Sequence, residues 1–234
     1  MTLAIFIVKV IKLEGCSERQ GSRLLTCTRV KSELWVRFPP PPPLFYSMNS
    51  KISQIKDLVK KECLDLGFID DWFYNVHLLG VEKFAKELLK KLPKANSEIV
   101  MLGVWLHDLR QVRGIKGDHE KTGAIEAEKV LKQFGYSKEI IARVKEIILT
   151  HRCNNGLMPK ILEGKILASA DAMSHYANDF YLAIAVTGER DVKEFKKWGL
   201  EKLDRDYNKK IFFDFARKMI EKRHKILKEI FTMG

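Results

Sequence analysis

The stretch NSEIVMLGVWLHD, residues 96–108, is apolar nearly all round from Ile99 to Leu106 and then ends on two adjacent groups that are expensive to desolvate. A run without a polar face belongs to a helix packed on most sides. The stretch therefore predicts a central helix that begins at Asn96 or Ser97 and finishes near His107 and Asp108. Neighbours on a helix point about 100° apart, so His107 and Asp108 can reach one point in space only from the helix end.

The same pattern extends outward in both directions. In DDWFYNVHLLGVEKFAKELLKKL, residues 70–92, Phe73, Val81, Phe84, Leu88 and Leu92 share a face with His77, and Asp70 or Asp71 suits the N-cap. Downstream, QVRGIKGDHEKTGAIEAEKVLKQFG, residues 111–135, predicts a glycine-punctuated loop and then a helix capped by Asp118 and stopped at Gly135, with His119 in its first turn. SKEIIARVKEIILTH, residues 137–151, runs from a Ser137 cap to His151, one turn after Ile147. PKILEGKILASADAMSHYANDF, residues 159–180, predicts one long helix with Pro159 at its first position. On it Asp171 follows Leu167 by a turn, and Asp171, His175, Asn178 and Asp179 form a polar stripe. Residues 189–227 read as two further amphipathic helices. The expectation is an all-α, compact multi-helix bundle with a site between helices.

Residues 1–47 differ. They contain RFPPPPP, whose prolines favour a polyproline II stretch, and they show no sustained period of 3.6 or 2. The opening MTLAIFIVKVIK places its positive charges after the apolar run, unlike a secretory leader. The segment is expected to be an irregular extension preceding the helical domain at 48–234, with Met48 as the true initiator; a partner-binding proline-rich tail is the competing reading. Four of the +12 units of net charge lie in these residues.

With 234 residues and 27.1 kDa the chain is long enough for a sizeable core. No apolar run approaches the roughly 20 residues that span a bilayer, so no membrane association is expected. Cys16, Cys27, Cys63 and Cys153 are too scattered for a zinc knuckle, and a reducing cytoplasm suits them. The basic balance, with a pI near 9.5, favours polyanionic company.

One histidine on an apolar face is usually a core residue bonded to a carbonyl, and His224 keeps that reading. The joint pattern is different: His77, His107, Asp108, His151 and Asp171 lie on inward faces or at inward helix ends, and His119 begins another helix. Buried carboxylates beside imidazoles need compensation, which a divalent ion supplies. Imidazole and carboxylate donors suit Mn, Fe, Co, Ni or Zn, and the absence of thiolates argues against a purely structural zinc site.

At this point the sequence resembles the HD-domain phosphohydrolases over roughly residues 50–185. Their ordered histidine, His-Asp pair and distant aspartate are matched by His77, His107 with Asp108, and Asp171. The resemblance implies that these four hold one divalent transition ion, with room for a second. It implies that His119, His151 and Asp108 act at the phosphate, the second ion or the nucleophilic water. Many relatives continue the pair with Ile-Gly-Lys, whereas this chain has HDLRQVRG, which leaves the subfamily open.

The activity implied is metal-dependent hydrolysis of a phosphate ester or anhydride in a small phosphorylated metabolite, foremost a nucleotide. Arg110, Arg113, Lys116, Lys121 and Arg152 are the cations available to its phosphate, and His175 reads as structural. The alternatives are a phosphodiesterase acting on RNA or a cyclic nucleotide, and a nucleic-acid-binding protein with a structural metal. A homo-oligomer is left open.

Overall fold

The computed structural model describes residues 6–17, 26–37, 43–65, 72–176 and 179–233, with side chains from residue 50 onward. The chain divides into two compact units, Met1–Ser47 and Met48–Gly234.

In the first unit, strand β1 (Phe6–Ser17) pairs antiparallel with β2 (Thr26–Arg37), Phe6 opposite Arg37 and Ser17 opposite Thr26. The extension is thus not irregular throughout. Its strands are rich in β-branched residues such as Ile7, Val8, Ile11, Thr28, Val30 and Val36, which favour extended backbone without strict alternation. Most of the proline run lies outside the described residues, and Pro43 opens helix α1 (Pro43–Asp65), where its missing N–H costs no helical hydrogen bond.

The second unit is helical. Along α1, Ile55, Val59 and Cys63 recur every fourth residue and are buried. A π-helical segment, Phe73–Leu78, runs directly into α2 (Leu79–Lys91); the proposed caps Asp70 and Asp71 lie outside the described residues. Helix α3 (Ser97–Leu106) is the central one, with seven of its residues buried and Asn96 Oδ1 accepting from the N–H groups of Glu98 and Ile99 at 3.0 and 3.2 Å. After the single-turn α4 (Leu109–Val112), α5 (His119–Gln133) is capped by Asp118 and α6 (Lys138–Thr150) by Ser137. Gly135 takes φ +67°, a left-handed stop that a side chain would strain.

Helix α7 begins at Leu162 and ends at Ser174, and α8 covers Phe180–Val186. The single helix expected over 159–180 is therefore shorter and interrupted, and Pro159 lies before it. The chain is still extended at Ile161, the N-cap, with ψ 158°. Helix α9 (Val192–Arg205), entered through an Asp191–Glu194 capping box, continues into a second π-helical segment, Asp206–Lys210, before α10 (Asp214–Thr232). The all-α expectation for this domain holds.

Helix α3 packs on α2, α5, α6 and α7, α2 packs on α7, and α5 on α6. Gly103 makes the central contact possible: a Cβ there would meet Ile147 Cδ1 at 2.5 Å and Leu167 Cδ2 at 3.0 Å. These helices all end or turn near one region, which brings the polar ends of apolar stripes together. Among the described residues no helix is long and apolar enough to cross a membrane.

Candidate metal centre

His107 and His151 solve the same problem in the same way. Each is the C-cap of its helix, α3 or α6, and each donates Nδ1–H to the carbonyl three residues back, Val104 at 3.0 Å and Ile148 at 2.6 Å. His77, from the π-helical segment, lies with Nδ1 3.1 Å from Ser174 Oγ, while that hydroxyl donates its own hydrogen to the Asp171 carbonyl at 2.7 Å. The imidazole must then be the donor to Oγ. All three rings consequently turn Nε2, the lone-pair nitrogen of the neutral tautomer, away from their anchors.

Those nitrogens face two carboxylates. Asp108 sits in the turn between α3 and α4, at φ −109° and ψ 17°, so the pair adjacent in sequence does converge at the helix end. Its Oδ2 is 3.1 Å from His77 Nε2 and 3.3 Å from His107 Nε2; its Oδ1 is 2.9 Å from His119 Nε2 and 4.0 Å from His151 Nε2. Asp171 Oδ1 lies 3.6 Å from His77 Nε2 and 3.9 Å from His107 Nε2. Donor atoms of His77, His107 and Asp171 fall within 4.8 Å of one another, as do those of His107, Asp108 and His151.

Lone pairs held this close repel unless a proton or a metal cation lies among them. The electrostatics express the same demand. Burial would depress the His107 ring, but Asp108 and then Asp171 reverse this and raise it to about 9. Burial would raise the Asp108 carboxyl, yet His107, His119 and His77 hold it well below the usual range; Asp171 is held low by Lys210, His175 and His107. Burial beside His107 pushes His151 down to about 3, leaving a neutral imidazole. His107 Nε2 is buried with no hydrogen-bond partner. The donor set therefore fits a divalent transition ion, which would take the place of the proton on His107: imidazole nitrogens and ionised carboxylates, oriented by groups behind them.

The cluster floors a cavity of about 210 Å³. Trp72, Phe73, Phe180 and Trp198 form its aromatic lining, and Arg152, Lys202, Arg205 and Lys210 bring cations to it. Of the five cations expected at a phosphate, Arg152 is the one that lines the cavity. Arg113 instead forks onto Glu62 at 2.8 and 2.7 Å and reaches Glu126 at 2.7 Å, a clamp between α1 and α5. Lys121 pairs with Asp118 at 3.8 Å, Lys116 is exposed, and Arg110 is absent from the lining. These four cations do not line the cavity.

His175, read as structural, also lines the cavity, and its ring is depressed to about 4 by burial and Lys202 despite Asp206. Lys202, Arg205, Asp206 and Lys210 were not singled out by sequence. A signal existed: the inward stripe Phe195, Gly199, Leu203 of α9 continues through Lys202 and Asp206, charges at positions where a solvated face is not expected.

Residues 74–175 match the HD domain family. This part of the chain is similar to that domain. Two solved structures share its fold. One is a predicted HD superfamily hydrolase from an uncultured Thermotogales bacterium, 24% identical, covering 76% of this chain and 87% of the other with a TM-score of 0.50. The second is an HD-superfamily hydrolase from Bacillus thuringiensis, 19% identical, covering 78% and 94% with a TM-score of 0.57. No curated protein matches. The HD domain match takes in His77, His107, Asp108, His119, His151 and Asp171, whereas Lys202, Asp206 and Lys210 lie beyond it.

Proposed function

We propose that this chain is a metal-dependent phosphohydrolase that cleaves a phosphate ester or anhydride in a small phosphorylated metabolite, a nucleotide. The observation that carries the reading is the convergence of imidazole Nε2 atoms on Asp108 and Asp171 at the floor of a cavity that cations also line. His77, His107, Asp108 and Asp171 would hold the ion. Bound there, a divalent transition ion acidifies water toward neutrality and withdraws charge from a phosphoryl oxygen.

The chain's own residues do the remainder. Asp108 spans the cluster, one oxygen toward His77 and His107 and the other toward His119 and His151, so the second pair can serve a second ion or the phosphate. The His119 side chain is 15% exposed, open to the cavity, where it can donate a proton to a leaving oxygen. Arg152 and Arg205 supply charge for the phosphate, since guanidinium groups pair with its oxygens in a fork. The aromatic lining favours a nucleotide, because a base offers a flat apolar face to Trp72 or Trp198.

The test is hydrolysis by the purified chain, loaded with Mn, Co or Ni, of nucleoside mono-, di- and triphosphates, dinucleotides and cyclic nucleotides. Turnover of a nucleotide that chelation abolishes is expected. Inactivity on every phosphorylated compound with each metal would overturn the reading. Turnover confined to cyclic nucleotides would replace it by the phosphodiesterase.

A further inference from the structure

His175 repeats the arrangement of the three anchored histidines, from residues the motif does not include. It caps α7, and its Nδ1 donates to Asp206 Oδ2 at 2.7 Å. Its Nε2 then lies 3.4 Å from Asp171 Oδ1, nearer than the nitrogens of His77 at 3.6 Å or His107 at 3.9 Å. The ring is parallel to that of His77, with centroids 5.4 Å apart and planes 7° from one another. A histidine kept for packing alone has no need of a fixed tautomer that turns its free nitrogen to a carboxylate on the cavity wall.

The anchor is itself supported. Asp206, fully buried in the second π-helical segment, receives Lys202 Nζ at 3.2 Å on the oxygen that binds His175. Lys210, at the other end of that segment, occupies Asp171 Oδ2. Ser169 Oγ ties the segment to α7, donating to the Lys210 carbonyl at 3.2 Å and accepting from Phe212 N–H at 3.0 Å. Asp171 therefore has Oδ2 neutralised from behind and Oδ1 shared among three imidazoles.

We propose that His175 is a further nitrogen donor to the cation held at Asp171, and that Asp206 is the residue that positions it. A carboxylate behind a ligating imidazole fixes the ring and strengthens its donor nitrogen. The segment 206–210, outside the HD domain match, thereby becomes part of the metal centre. The inference rests on the metal-centre reading given under Proposed function.

Cobalt(II) titration of the metal-free full chain, followed by its visible d–d absorption, tests it without recourse to turnover. His175→Ala should weaken cobalt binding about 10- to 100-fold and alter the bands. Asp206→Asn should move both in the same direction by less. The double variant should bind no more weakly than His175→Ala, because Asp206 acts through His175. His175→Gln replaces the alanine variant should that one fail to fold by circular dichroism. A folded His175 variant with the wild-type dissociation constant and spectrum overturns the proposal. A wild type that takes up no cobalt, or a His107→Ala variant indistinguishable from wild type, overturns the metal centre itself and is a separate result.

Discussion

His119 Nε2 stands 2.9 Å from Asp108 Oδ1, although the other oxygen of that carboxylate faces His77 and His107. Asp108 is thus common to two halves of the cluster, and His119 belongs to one of them. Replacing Asp108 by alanine should remove metal and turnover together. Replacing His119 should leave an ion at His77, His107 and Asp171 while turnover falls by roughly 10²- to 10⁴-fold, the range for loss of a general acid. Metal stoichiometry beside steady-state kinetics separates the two; a folded Asp108→Ala that keeps both would place the site elsewhere.

Arg113 and Arg152 should part company in their effects. Arg113 is held by two glutamates, and its alanine variant leaves Glu126, whose side chain is only 9% exposed, with Lys129 as its remaining cation. Loss of these charged hydrogen bonds should cost about 1–3 kcal/mol and lower Tm by several degrees with KM unchanged. Arg152→Ala should raise KM for the phosphorylated substrate with Tm near wild type. Thermal melts and saturation curves of both variants check the pair, and the reverse pattern would show that the loop cation is the one at the phosphate.

Gly103→Ala places a methyl group against Ile147 and Leu167, on the two helices that end in His151 and carry Asp171. Overpacking of this kind costs about 1–3 kcal/mol. The substitution should lower both stability and cobalt affinity, because it separates the helices that bring the ligands together. Unchanged denaturation and cobalt binding would mean that the contact is softer than its distances imply.

A chain beginning at Met48 should fold and turn over like the full one. The helical unit begins at Met48, and the buried residues of α1, Ile55, Val59 and Cys63, all follow that point. A large fall in Tm or in kcat/KM on deleting residues 1–47 would assign the extension a structural role.

The sequence shows most of the cluster because its members interrupt otherwise apolar stripes: His77, His107, His151 and Asp171 lie where periodicity calls for core residues. The caps Asn96, Asp118 and Ser137 were likewise legible, since a side chain that accepts from the next turn is a local matter. Lys210 and Asp206 were not. Their partners Asp171 and His175 are 39 and 31 residues away, and a lysine in a lysine-rich helix looks solvated until tertiary packing buries it. Arg113 and Arg152 looked equivalent for the same reason: both are cations beside the ligand segments, and only the path of the loop decides which one meets the cavity. Pro159 misled because it is also a good residue for an extended approach to a helix.

The π-helical segment Phe73–Leu78 joins two registers within one continuous rod. A π turn takes one residue more than the α-helical repeat, so residues before it are rotated by about 100° relative to their places in an uninterrupted helix. Phe73 and Tyr74 are buried on one side of this splice and Val81, Ala85 and Leu88 on the other. A one-codon deletion within the segment, at any position but His77, would restore a single register without removing a residue of the motif. Either the aromatic wall or His77 would then be carried out of place. This segment should accordingly tolerate changes of side chain better than changes of length.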